Sequence, residues 1–256
     1  MDIIPTLFAD QIYVWLLVFA RVGAAFMVMP TIGDPFVSAR TRLLFALAVS
    51  VVVAPVLRPQ LPPEPQQALA LVTLIIGELT VGVFMGTIAR LLVGALEVAG
   101  TIIATQSGLA MAQMFNPALG SQGTLPGALM GWLGLLMLFA TDLHHLLIMA
   151  VVDSYHLFVP GAALPVNDMA DLIARLVSRS FLIGVQMAAP FLIIGLMFGV
   201  ALGILSKLAP QIQVFFLFMS TQVAIGLFLF ALTLSGMMLF WLSHFESTFI
   251  EFLSPT

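Results

Sequence analysis

Apolar residues in this chain fall in long blocks separated by short runs rich in Pro, Gly and charge. The blocks are Ile12–Met29, Leu43–Leu57, Ala68–Leu96, Ala128–Val152, Phe181–Leu205 and Val214–Leu242. A bilayer core takes about 20 apolar residues of helix, so the pattern predicts an all-α integral membrane protein with about six long hydrophobic helices. Three breaks punctuate it: Pro30–Pro35, Arg58–Gln67 (RPQLPPEPQQ) and Pro160–Asp171. The prolines of the second favour extended polyproline geometry and an exposed loop. Leu172–Arg179 reads as a short amphipathic piece ahead of the fifth block. The residues before the first block include acids and no Lys or Arg, whereas a cleaved signal carries a positive start. The first block therefore reads as a retained helix.

One stretch fits neither lipid nor water. Gly94–Gly131 (GALEVAGTIIATQSGLAMAQMFNPALGSQGTLPGALMG) opens with Glu97 and carries Gln106 and Gln113 among apolar residues. It then breaks at Asn116-Pro117 and ends in Gly, Ser and Pro. A solvated linker would be more polar. A lipid-facing helix would not hold two glutamines and a proline break. Irregular backbone at membrane depth persists only where protein buries it or where it lines a cavity, so the stretch is expected to face a passage through an assembly. Within it, Met111, Met114 and Phe115 are soft and bulky. They fit ordinary core packing, and equally a compliant plug, because Met is unbranched and polarizable.

Composition agrees with the blocks. The chain is 61% hydrophobic and 8% charged, against about a quarter charged in soluble domains. It has no cysteine, which excludes disulfides, thiolate chemistry and Cys-ligated metals. A net charge of -4 with no basic run gives no footprint for nucleic acid. Orientation stays open. Arg40, Arg42, Arg90 and Lys207 fall on one side of an alternating topology, and Arg58, Arg175 and Arg179 on the other, too even a split for the positive-inside rule.

Arg21, Glu78, Arg90 and Glu97 lie within or beside apolar blocks. A charge at the bilayer centre costs about 2.5–3.5 kcal/mol on insertion scales, so these side chains should face protein or water. Arg90 and Glu97 are seven apart, on one helical face. Together with Gln106 the four are expected to form buried polar packing seams between helices; a proton or ion relay is the competing use and would want more acids at mid-membrane. The ladders Gly82/Gly86, Gly123/Gly127/Gly131 and Gly195/Gly199/Gly203 suit close helix contact, within the chain or against partners.

Asp142, His144, His145, Asp153 and His156 could be read as a metal site. Adjacent histidines diverge by about 100° on a helix, and the HExxH arrangement is missing, so a polar helix end is expected and no metal or cofactor. No nucleotide loop or nucleophile elbow occurs, and no enzyme is expected. The alternatives are a secondary transporter for a small solute, which would want corresponding breaks in two halves, and an intramembrane enzyme on Asp142–His156.

Several pieces in order resemble the FliR/SctT family, the inner-membrane export-gate subunits of flagellar and related type III secretion systems. They are ARVGAAFMVMPTIGDPFVSARTRLLFALAVSVVVAP, GELTVGVFMGTIARLLVGALEVAGTIIATQSGLAMAQMFNP, DLHHLL with DSYHLFVP, and APFLIIGLMFGVALGILSKLAPQIQVFFL. The resemblance implies a non-enzymatic subunit of a closed channel for unfolded substrates. It would sit in the bacterial inner membrane, in a flagellar basal body or a related injection machine. FliP-like and FliQ-like subunits would be its hetero-oligomeric partners, with an FlhB-like protein at the base. It further implies a FliP-like part over 1–180 and a FliQ-like helical hairpin within 181–256, turning at Lys207, Pro210 and Gln211. The family's pore plug maps to about 111–123, placing Met111, Met114, Phe115, Asn116 and Pro117 at the gate. Much of the assembly would then stand higher than six flat spans suggest. The family often has Asp-Pro where this chain has Asn116-Pro117.

Overall fold

In a computed structural model, residues 3–111, 123–208 and 214–253 are described. Among them the chain forms seven α-helices, one 3-10 turn at Arg58–Gln60 and no strand. The helices are α1 (Ile3–Val28), α2 (Ala39–Leu57), α3 (Ala68–Gln106), α4 (Leu125–Ala140), α5 (Leu143–Leu157), α6 (Val166–Leu208) and α7 (Val214–Leu253). Five of them have the length and apolar composition to cross a bilayer, and α4 with α5 makes a sixth if they count as one broken span. The protein is an all-α, multi-pass membrane protein. Its long helices exceed a flat span: the 43 residues of α6 reach about 65 Å at 1.5 Å per residue, twice the hydrocarbon thickness of about 30 Å.

Two expectations change. The fourth apolar block is not one helix. It breaks at Thr141-Asp142, where the Thr141 hydroxyl donates to the Met137 carbonyl (2.7 Å) and Asp142 turns left-handed (φ 58°), a conformation that short polar side chains tolerate. The third polar break is shorter than expected, and the amphipathic piece is part of α6. The Met169 N–H already reaches the Pro165 carbonyl (3.0 Å), and Asp168 in the first turn favours the helix dipole. The apolar pattern misses this turn because Asn167, Asp168 and Asp171 interrupt it, although its helical geometry is sound.

The chain divides into two compact units, Met1–Leu91 with Asp142–Leu176 and Phe249–Thr256, and Leu92–Thr141 with Val177–Thr248. In the first, α1 lies against the leading half of α3 backbone to backbone. A Cβ on Gly82 would overlap the Arg21 carbonyl oxygen, and one on Gly86 would stand 2.7 Å from that of Ala25. Leu17, Val18, Ala25 and Phe26 of α1, Met85 and Ile88 of α3, and Leu147 and Val151 of α5 are buried there. The corner between α1 and α2 is held by side chains. Thr31 has φ 80°, and its N–H donates to Asp34 Oδ2 (2.9 Å). Ser38 caps α2 by accepting from the Thr41 N–H (3.1 Å), and Arg42 donates to the carbonyls of Asp34 (3.0 Å) and Val37 (3.3 Å).

In the second unit, α4 crosses the trailing half of α3 at glycine on glycine: a Cβ on Gly100 would overlap Gly127 Cα. The buried Trp241 of α7 donates its indole N–H to the Leu92 carbonyl (2.9 Å). Two edge-to-face ring pairs, Phe198–Phe218 at 5.3 Å and Phe191–Phe230 at 6.4 Å, set α6 and α7 side by side and antiparallel. Residues earlier in α6 meet residues later in α7. Among the described residues, Gly199 and Gly203 meet no atom within 4 Å of a Cβ position, while Gly195 is closely approached.

Candidate functional site

Two polar constellations stand out, one in each unit. In the first, Arg21 is buried and paired with Glu78. Its Nε donates to Glu78 Oε2 (2.7 Å) and Nη2 to Oε1 (3.0 Å), the bidentate fork that a planar guanidinium matches to a carboxylate. Nη2 also donates to the Phe158 carbonyl (2.9 Å), and Nη1 to Ser154 Oγ (3.2 Å). The guanidinium carbon lies 3.8 Å above the centre of the Tyr155 ring, within cation–π range. One arginine of α1 is thereby tied to α3, to α5 and to the residue that ends α5. Beside the pair, a cleft of about 550 Å³ opens between the prolines at 62–65, α3 and the Val159–Leu164 loop.

Arg90 does not join this network. It is exposed, donating to the Val28 carbonyl (3.2 Å) and standing 3.9 Å from Asp34 Oδ1. Glu97 is exposed as well. The two do lie on one face, but seven residues separate them by about 10 Å along the axis, and each finds its own surroundings. Within the chain, Arg21 and Glu78 are buried, and Arg90 and Glu97 are exposed.

The second constellation lies where α3 ends. A helix leaves its last carbonyls without intrahelical donors. Ile103 O accepts the Ser107 N–H (2.9 Å), Ala104 O the Ala110 N–H (3.0 Å) and Thr105 O the Gly108 N–H (3.4 Å). The Gln106 carbonyl accepts from Nε2 of Gln222, on α7 (2.7 Å). Gly108 has φ +74°, the left-handed residue that commonly closes a helix. Its N–H and that of the half-exposed Met111 both point back into this turn, the latter donating to the Gly108 carbonyl (3.2 Å). Twelve residues after Met111, Gly123 has φ +83° and lies beside Glu97, whose Oε1 is 3.7 Å from its Cβ position. Thr124 then caps α4, accepting from the Gly127 N–H (3.2 Å).

Met114, Phe115, Asn116 and Pro117 lie outside the described residues, as do Pro210 and Gln211. Lys207 sits exposed in the last turn of α6, where a cation suits the helix dipole. Asp142, His144 and His145 gather at the start of α5, with Asp142 Oδ1 3.6 Å from His145 Nδ1 and one ligand atom of each within 4.8 Å of the others. Asp142 and His145 are exposed. His156 stands apart, 3.2 Å from Gln60 Nε2.

Sequence reasoning did not find Ser154, Tyr155 and Phe158 around Arg21, nor Gln222 at the end of α3. The DSYHLFVP segment held a signal, since a buried arginine needs several acceptors and this segment supplies a hydroxyl, a ring face and a helix-end carbonyl. No comparable signal marks Gln222.

The chain matches the family described as "Bacterial export proteins, family 1" over residues 12–248. It is similar to the flagellar biosynthetic protein FliR of Caulobacter vibrioides, 41% identical over 238 residues, which cover 93% of this chain and 95% of that protein. It is also similar to FliR of Bacillus subtilis, 28% identical over 88% of each chain. The Yop proteins translocation protein T of Yersinia pestis is 27% identical, over 98% of this chain and 96% of that protein. A match of this extent, on an all-helical membrane protein, assigns the chain to the bacterial export proteins, family 1.

Proposed function

We propose that the chain is a non-catalytic gate subunit of a flagellar or related type III protein export apparatus, forming part of a closed channel for unfolded substrates. The coarser statement follows from its family: it is a membrane-embedded subunit of such an export apparatus. The relatives matched are export proteins, which leaves the small-solute transporter without support.

The observation that carries the finer reading is the mounting of segment 111–123. Glycine turns of positive φ flank it, Gly108 three residues before Met111 and Gly123 at its far end. The first is held by Gln222, and the second lies between Glu97 and the cap of α4. A segment anchored at both ends between apolar helices suits a plug, with Met111, Met114, Phe115, Asn116 and Pro117 as the residues that fill the passage. The remaining parts follow the family resemblance. Residues 1–180 form a FliP-like part, and 181–256 a FliQ-like hairpin turning at Lys207, Pro210 and Gln211, a division that the antiparallel pairing of α6 and α7 favours. The partners are FliP-like and FliQ-like subunits with an FlhB-like protein at the base, in the inner membrane.

A photo-crosslinking amino acid at Met111, in cells holding an export substrate stalled in transit, tests the passage directly. Crosslinks to the stalled substrate are expected at Met111 and not at the exposed Leu69 of α3. Equal crosslinking at both positions, or none at Met111, would count against a passage here.

A further inference from the structure

The end of α3 carries an inference that rests on the gate reading and goes one step further. Of its four terminal carbonyls, three are served by the chain immediately following. The fourth, of Gln106, is served by a side chain 116 residues away, Gln222. Everything around that contact confines the same turn. Gly226, four residues along α7 and so on the same face as Gln222, is pressed against Ser107, where a Cβ would overlap that of Ser107 and stand 3.1 Å from its Cα. On α6, a Cβ on Gly195 would overlap Oε1 of Gln106. At Gly108 a Cβ would stand 3.5 Å from Val223 Cγ2 and 3.8 Å from Gln222 Cδ. Two helices thus close on one turn, and Gln222 adds a side-chain donor from α7 to the backbone donors that follow α3.

We propose that Gln222 is a positioning residue for the gate: its amide N–H clamps the last turn of α3 and holds the root of segment 111–123 in the closed channel. The clamp needs a donor, because the group it serves is a carbonyl. An acceptor at 222, or no polar atom, leaves that carbonyl unpaired in a partly buried setting, which favours any arrangement that lets the turn move out to water. Release of the clamp frees the root without touching the plug itself.

Donor chemistry separates this from simple packing. Gln222→Met keeps length and shape but has no donor. Gln222→Glu keeps the shape and only accepts. Gln222→Lys restores a donor. Each variant is purified as the assembled export complex and reconstituted in vesicles, and ion leak is read together with amide exchange of the peptide 104–111. The Met and Glu variants should leak up to about tenfold faster than the unaltered complex, the effect of losing one hydrogen bond to a partly buried carbonyl, with faster exchange at Gly108 and Ala110. The Lys variant should stay close to the unaltered protein in both readouts. Leak and exchange unchanged in all three would overturn the clamp. Equal increases in all three would overturn it too, since packing alone would then be at work. A parallel complex lacking 111–123 separates the two levels: if that complex leaks while Gln222→Met does not, the clamp fails alone. If it does not leak, the gate reading fails first.

Discussion

Removing residues 111–123 from the chain in its assembled complex is expected to open a standing ion leak across reconstituted vesicles. Two glycine turns of positive φ flank it, Gly108 before Met111 and Gly123 at its far end. The first is held by the donors that finish α3 and by Gln222. The second is followed directly by the Thr124 cap and by the Gly100–Gly127 crossing. On the gate reading proposed above, excision takes material out of the passage, while α3 and the Thr124 cap of α4 stay in the chain. A gate that is closed for all but about one part in a hundred of the time would change its open fraction about a hundredfold on losing its plug. A companion complex with a Gly/Ser stretch of equal length in place of 111–123 should leak nearly as much, because such a chain is a flexible coil with no bulky side chains. Leak at the level of the unaltered complex in both would remove the plug from the mechanism.

The second large effect is on stability. Replacing Arg21 by Met, or Glu78 by Met, should each destabilise the protein by about 3–5 kcal/mol, the cost of stranding one charge of a buried pair. The geometry makes the cost severe. Side-chain exposure is 1% for Arg21 and 3% for Glu78, so each charge left alone would sit in a buried setting. Loss of Arg21 also strips donors from Ser154 and from the Phe158 carbonyl. The double replacement should recover much of the loss, since two apolar side chains of similar volume leave no isolated charge. Thermal unfolding in detergent across the four proteins reads this as a coupling term. Additive single effects would mean the two groups act independently, against the bidentate contact.

Much of the architecture was legible because membrane helices announce themselves. Six apolar blocks became the helical framework, and the Gly82/Gly86 spacing marked the place where α1 and α3 touch backbone to backbone. Arg21 and Glu78 were legible as charges in apolar surroundings that should face protein or water, but their pairing with each other was not. What stayed hidden depends on tertiary context. Nothing in the apolar run of α4 and α5 shows that Asp142 will turn left-handed rather than sit at a helix surface. Arg90 and Glu97 have the spacing of a shared face, but spacing does not say whether that face is covered, and both are exposed. Gly199 and Gly203 repeat the spacing of Gly195, yet among the described residues Gly195 alone of the three meets another element. The site at the end of α3 was half legible. Gln106 stood out as a polar residue in apolar company, while its partner Gln222 lies more than a hundred residues away with no local mark.

The most direct test is whether the chain exists as part of an export assembly. The tagged full-length protein, extracted from its own membranes in mild detergent, should co-purify in fixed stoichiometry with FliP-like and FliQ-like membrane subunits identified by mass spectrometry. A solitary chain, stabilised on addition of a small solute and free of such subunits, would contradict a gate built from several proteins.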